Sequence, residues 1–467
     1  MQILTNDKHK RLLSLDALRG LSILLMVLSG SIAFKGVMPA WMYHAQVPPP
    51  LHRFNPNIPG ITWVDLVFPF FLFSMGAAFP IALNKKLENS GLIEVMLQIV
   101  KRYLLLIFFA IFIFHSRAWV MSDSPGIFEN IISICCFLLL FLLFSKSGNN
   151  KNKKFLIALK VFAFCVAITF LYLYPFKGKE FDFAHSDIII IVLANMAFFG
   201  SIIWVFTREN SLLRLAILPF IMAAFLSAKA GENWVSQIFN WSPAPWAYSF
   251  YYLKYLFIII PGTFAGDWFL KIKHKQATIK PSMLILAIAT LCLLLLVVNI
   301  NLLFSRALLL NVTLTLCLSL GIVLLFRKAG LHFLYQNFIK AGIFLLVLGL
   351  VFEPYEEGIK KDPSTYSYYF VSSGLAFLTI TSFMLFESGG YFKNLFKFLA
   401  KVGQNPMIAY TAGNLLLLPF LNLSGWLVTF NLLNSTALGG LIRGLLFTLA
   451  IALITLFFTQ KRVFWKT

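Results

Sequence analysis

Two ionisable groups near the start of the chain have the types and placement of an acid–base pair. His44 stands in Trp41-Met42-Tyr43-His44-Ala45-Gln46, just before the stiff run Pro48-Pro49-Pro50, and Asp65 stands in Gly60-Ile61-Thr62-Trp63-Val64-Asp65-Leu66, where an apolar run begins. A carboxylate beside an imidazole can hold the tautomer that a general base or a nucleophile needs. A lone loop histidine is ordinarily uncatalytic, so Asp65 at the head of the next apolar run is what turns His44 toward proton or acyl transfer. His52, in Leu51-His52-Arg53-Phe54-Asn55, competes for the same role as a neutral base beside Arg53.

A second group of residues suits a phosphorylated donor. Asp16 and Arg19, in Ser14-Leu15-Asp16-Ala17-Leu18-Arg19-Gly20, are three apart and share a face if the segment is helical. Either the two form an ion pair at a helix start, or Arg19, with Lys85 and Lys86 on the same side, forms a clamp for phosphate. Asn405, before Pro406 in Gly403-Gln404-Asn405-Pro406-Met407-Ile408-Ala409-Tyr410, is either a helix cap or one of several uncharged groups facing a donor phosphate or carbonyl. Lys254 and Asp267 lie inside an apolar stretch, where burial of charge is expensive. The seven histidines show no HExxH or similar spacing, so no metal site is expected.

The elements that must position these groups are membrane helices. With 59% hydrophobic and 12% charged residues, the chain is far more apolar than a soluble globule, whose charged fraction is about 25%. Its mean hydropathy is +0.82. The apolar runs are about 20 residues long, the length that crosses a hydrocarbon core as helix, and they lack the period-two alternation of a barrel. About 14 spans are predicted, or 12 if short ones are re-entrant, with the first near 14–34, the next near 60–83 and 97–115, and the last near 436–459. The sequence therefore predicts an all-α polytopic transmembrane helix bundle forming one domain over 1–467.

The formal charge of +21 sits in short connectors between spans. Alternate connectors carry Lys8/Lys10/Arg11, Lys85/Lys86, Lys146 with Lys151/Lys153/Lys154, Lys271 to Lys280, Arg327/Lys328 and Lys461/Arg462/Lys466. Positive-inside bias then predicts both termini cytoplasmic and the His44 loop extracytoplasmic. The same bias explains the basic excess without nucleic acid. Trp41, Trp234, Trp241 and Trp246, in the outer loops, read as interfacial belt residues or as sugar-stacking surfaces. Cys135, Cys136, Cys165, Cys292 and Cys317 fall in apolar runs and read as small buried hydrophobes.

Taken together, Ser14 to Gly20, the approach Trp41 to His44, Gly60 to Gly76, Gly403 to Tyr410 and the closing Arg462-Val463-Phe464-Trp465-Lys466 resemble the heparan-α-glucosaminide N-acetyltransferase family and its bacterial relatives. The resemblance is strongest over residues 10–90. It implies transfer of acetyl from cytoplasmic acetyl-CoA to an amino sugar of an extracytoplasmic glycan, in a bacterial inner membrane. On that resemblance His44 inherits the reactive role, as base or as acetyl carrier; with the reading of the residues above, Asp65 is then expected to orient it and Asp16, Arg19 and Asn405 to support the acetyl-CoA side. The chain departs from the family at Ser29-Gly30, where the animal enzymes have an asparagine nearby, and at Gly413-Asn414, which replaces Gly-His-Glu. The acceptor is therefore left open. Membrane O-acyltransferases of surface polysaccharides share a Leu-Asp-x-Leu-Arg-Gly opening but carry a histidine within the first helix, where this chain has none between Arg19 and His44. A secondary transporter or flippase of a glycan precursor is the alternative from another class, since many spans and intramembrane charges suit it equally.

Overall fold

The computed structural model describes residues 12–34, 36–145, 153–271 and 282–467. The basic stretches at 1–11, 146–152 and 272–281, on which part of the expected orientation rests, lie outside the described residues. Among the described residues, 13 helices are long and apolar enough to cross a membrane. Nine elements position the site: α1 (Leu13–Ser31), α2 (Trp63–His115), α3 (Ile188–Thr207), α4 (Leu256–Lys271), α5 (Phe333–Tyr355), α6 (Tyr366–Ser388), α7 (Lys393–Gly403), α8 (Pro406–Ala412) and α9 (Ala437–Gln460).

The 53-residue α2 is two legs rather than one rod. Its helix is broken at Gly91, whose φ of 75° is open to glycine without a side-chain penalty. Lys86 Nζ donates to Gln98 Oε1 at 3.0 Å, although twelve residues of straight helix would separate them by about 18 Å. The chain therefore doubles back here, which joins the two runs expected at 60–83 and 97–115.

Helix α6 is the axis of the bundle, and its most apolar window is entirely buried. Thr379 and Thr381 donate to the carbonyls of Leu375 and Phe377 within the same helix, while Ser373 donates to Phe257 O of α4 and Tyr368 to Asp65 O. Around it, glycines set the closest helix crossings. A Cβ on Gly20 of α1 would lie 1.9 Å from Leu399 O of α7, and one on Gly403 of α7 would lie 2.0 Å from Asp16 O. A Cβ on Gly76 of α2 would lie 2.4 Å from Ile259 O of α4. Three glycines of the sequence motifs are thus there because backbones touch, the way membrane helices associate without a hydrophobic driving force.

The first described helix and the chain's end pack on the same element. Asp16 meets Gly403 of α7, and Thr459 donates to Lys401 O of α7 at 3.2 Å. The four tryptophans expected at an interface are exposed, from 39% at Trp246 to 73% at Trp234.

Candidate active site

The local sequence places Asp65 before any tertiary contact is made. Thr62 caps α2 and Asp65 is the third residue of its first turn, so Thr-x-x-Asp forms a capping box. Asp65 Oδ2 accepts from the Thr62 amide at 2.9 Å and from the Ala45 amide at 3.3 Å. Its other oxygen, Oδ1, lies 2.7 Å from His44 Nδ1. The carboxylate is fully buried, while the His44 side chain is 38% exposed. A carboxylate that already accepts two amide hydrogens is acceptor-only, so the hydrogen on this contact belongs to Nδ1. In the neutral ring Nε2 then carries the lone pair.

The loop between α1 and α2 is stapled to hold that geometry. Gln46 is buried and its amide donates to Ile58 O at 2.9 Å and Gly60 O at 3.1 Å. Thr62 Oγ1 donates to Tyr43 O at 2.7 Å, beside His44. Tyr43 donates from its phenol to Ala33 O at the end of α1. Burial pushes that phenol above its ordinary pKa, so it stays a donor.

His52 is placed elsewhere. Its ring packs edge-on against Tyr43, with centroids 4.5 Å apart, and against Phe34, and its Nε2 accepts from the Gly36 amide at 3.3 Å. The structure gives His44 the carboxylate and the cavity, and gives His52 a packing position.

Lys361 is a residue that sequence reasoning missed. Its Nζ lies 3.1 Å from His44 Nδ1 and 3.4 Å from Nε2. The in-plane directions of the two ring nitrogens diverge, so an ammonium this near both sits across the ring between them. Burial lowers the Lys361 pKa, and the charges of Asp65 and Asp362 partly restore it. In sequence it looked like one more loop lysine, and only the fold brings it 317 positions back to His44.

The loop that carries Lys361, residues 356–365, is tied down on every side. Ile359 O accepts from the Gly60 amide at 2.7 Å, so the loop is hydrogen-bonded to the approach to α2. Glu356 accepts from the Tyr366 and Ser367 amides, each at 2.7 Å, at the start of α6. Lys254, suspicious in sequence as a buried charge, donates to Ser364 O at 2.7 Å with its ammonium against the rings of Phe225 and Tyr366. Asp267 is likewise accounted for: it pairs with the fully buried Arg214 at 2.5 Å and accepts from Trp204 Nε1 at 3.0 Å. Neither group lines the His44 cavity.

His44 and Lys361 line a cavity of about 300 Å³ that enters the bundle between α1, α2, α8 and α9. That volume is at the small end of ligand sites, which run from about 300 to 1,000 Å³. Tyr410, Asn414 and Arg443 line the same cavity. Asn414 lies in a single turn of π-helix, Gly413–Leu417, a widening common at functional positions. The Tyr410 hydroxyl donates to Asp187, at 2.9 and 3.0 Å, and Asp187 is ion-paired to Arg117. Arg443 Nη1 donates to Ser31 O at 2.6 Å and Nη2 to Asn431 Oδ1 at 3.0 Å. It is a cation within the apolar run of α9, a signal of the kind that drew attention to Lys254 and Asp267.

The expected donor-side residues do not line this cavity. Arg19 pairs with Asp16 at 3.1 Å and donates to Ser74 O at 3.3 Å. Ser74 is nine residues along α2 from Asp65, or about 14 Å, while Met26, the lining residue nearest Arg19 on α1, is about 10 Å from it along the helix. Lys85 and Lys86 lie about 17 Å beyond Ser74 along α2 and do not join the cluster. Arg102, from the returning leg, does approach Arg19.

Asn405 is used otherwise than expected. It makes no side-chain cap on α8. Instead its Nδ2 donates to Val463 O at 2.7 Å and its Oδ1 accepts from the Trp465 amide at 3.3 Å. The side chain is fully buried against the closing segment, whose Lys466 amide donates to Phe144 O at 2.9 Å. Both the capping and the donor-facing alternatives give way to a clasp on the C-terminal segment, because the buried amide needed both a donor and an acceptor partner.

Long apolar helices surrounding a cavity with charged walls define a polytopic integral membrane protein of the all-α class. Residues 11–269, more than half of the chain, match the family described as a domain of unknown function, DUF5009, and the chain belongs to that family. The match covers the His44–Asp65 pair and Arg19, and it leaves Lys361, Tyr410 and Arg443 outside. No curated protein matches the chain.

Proposed function

We propose that this protein is a membrane acetyltransferase resembling the heparan-α-glucosaminide N-acetyltransferases. In this scheme it crosses a bacterial inner membrane about 14 times, with both termini cytoplasmic. It takes acetyl from cytoplasmic acetyl-CoA and delivers it to the amine of an extracytoplasmic amino sugar.

The observation that carries the proposal is the His44–Asp65 contact at 2.7 Å with the histidine facing a cavity that enters the bundle. Asp65 holds the hydrogen on Nδ1, which leaves the lone pair on Nε2, with Lys361 Nζ 3.4 Å away, to take a proton. As base, Nε2 accepts the proton that the sugar amine loses when its nitrogen bonds to the acetyl carbon and the carbon–sulfur bond of acetyl-CoA breaks. As carrier, Nε2 itself forms the bond to acetyl and CoA leaves as thiolate; the amine nitrogen then bonds to the acetyl carbon as the bond to Nε2 breaks, and Nε2 takes the proton that the nitrogen loses. Both courses need the same tautomer, and positioned acid–base groups of this kind contribute about 10²- to 10⁴-fold in rate.

Arg19 and Arg102, near the other end of α1, suit the phosphates of CoA. Transfer further requires the stretch of about 10 Å between Arg19 and Met26 to open for the pantetheine arm. The test is release of CoA by the purified protein given acetyl-CoA and glucosamine. Release above the rate in buffer supports acetyl transfer, and no release with any amino sugar favours transport.

A further inference from the structure

The geometry points to an anion-binding subsite in the His44 cavity, built from Arg443 and Lys361, that selects an acidic amino sugar as acceptor. This rests on the proposed acetyl transfer for its amine end at His44, and adds the chemical class of the acceptor.

Among the described residues, the charged side chains that line the cavity are Lys361 and Arg443, together with the titratable His44, and no carboxylate lines it. Asp65 offsets one positive charge from behind the histidine ring, where its oxygens are engaged by His44, Thr62 and Ala45. Asp187, bonded to Tyr410, is cancelled by Arg117. Asp65 and Asp362 are the carboxylates that act on Lys361, whereas Arg443 forms no ion pair among the described residues. Its neighbours are neutral: Ser31 O, Asn431 Oδ1 and the ring of Phe430, 5.1 Å from the guanidinium carbon. Its Nε is enclosed and has no hydrogen-bond partner.

An uncompensated guanidinium within an apolar helix is costly, and such groups mark binding paths for their counter-charge. Guanidinium also matches a carboxylate or phosphate in shape, by paired hydrogen bonds. Asn414, on the widened π turn, adds an amide to the cavity lining. The cavity's 300 Å³ suits one sugar residue rather than an oligosaccharide. The occupant is then a terminal sugar with its amine toward His44 and an acid group, phosphate ester or carboxylate, toward Arg443.

Equilibrium binding to the detergent-purified full chain, without acetyl-CoA, tests this separately from catalysis. The probes are glucose, glucose 6-phosphate, glucuronate, glucosamine, glucosamine 6-phosphate and inorganic phosphate. At least one acidic sugar is expected to bind tenfold or more tightly than its neutral parent, and whether phosphate or carboxylate does so identifies the acid. Arg443→Met should erase that preference and Arg443→Lys should keep most of it. If Arg443→Met does not purify as a folded monodisperse protein, Lys361→Gln is the substitute, with a partial loss expected. Equal affinity for acidic and neutral sugars, an unchanged preference in both charge-removing variants, or inorganic phosphate binding as tightly as the sugar acids would overturn the proposal. A retained preference in a protein that releases no CoA would uphold the anion subsite and remove the acetyl-transfer reading instead.

Discussion

His44 Nδ1 lies 2.7 Å from Asp65 Oδ1, so a loop imidazole and the first turn of a 53-residue helix form one unit. The same carboxylate closes the capping box of α2, which ties the geometry of the proposed reactive group to the stability of the helix that carries it.

Asp65→Asn separates these two roles. The amide keeps the size but loses the charge and cannot accept at both atoms. Removing charge-assisted hydrogen bonds costs about 1.5–3 kcal/mol, so the melting temperature should fall. CoA release should drop about 10- to 100-fold because the histidine tautomer is no longer fixed. Wild-type turnover in the variant would show that Asp65 is only a cap.

The glycines of the first helix should behave oppositely. Gly20→Ala puts a Cβ into the backbone of α7 and is expected to destabilise by about 1–3 kcal/mol. Gly30→Ala meets nothing within 4 Å and should leave thermal stability unchanged or slightly raised. Detergent melting curves of the two variants provide the comparison.

How far the site was legible follows from which forces are local. The apolar runs alone define an all-α membrane bundle, because hydrocarbon admits only internally bonded backbone. The Thr62-x-x-Asp65 cap is local too, but whether the carboxylate would face His44 depends on the stapling of the loop by Gln46. Lys361 and Arg443 come to the cavity from segments hundreds of positions away from His44; Arg443 stands out only as a cation in an apolar run, and neither neighbourhood names His44 as its partner. Asn405 misled for the converse reason: Asn-Pro is a strong local cap signal, and the C-terminal segment overrode it.

Lys361 makes stability depend on alkaline pH. Its folded pKa lies below the ordinary lysine value because burial disfavours the ammonium. Between the folded value and 10.5 the unfolded chain binds more protons, so stability rises with pH through that window, and below it the penalty is constant. Relative to Lys361→Met, the wild type should therefore gain in melting temperature as pH rises toward 10.5. A difference that stays flat or falls would mean that the ammonium is not disfavoured by folding.

Lys254→Met should act on the site at a distance. It leaves Ser364 O without its donor, which costs about 1–3 kcal/mol, and frees one anchor of the Lys361 loop. Faster hydrogen exchange confined to residues 356–365 is the expected signature. Unchanged exchange there would show that the Glu356 and Ile359 contacts suffice.

The most direct test is CoA release from acetyl-CoA and glucosamine by wild type, His44→Ala and His52→Ala, each checked for folding by melting temperature. His44→Ala is expected to lose at least 100-fold in rate, and His52→Ala to keep most of its rate. Undiminished release in His44→Ala, or a loss confined to His52→Ala, would contradict the central claim.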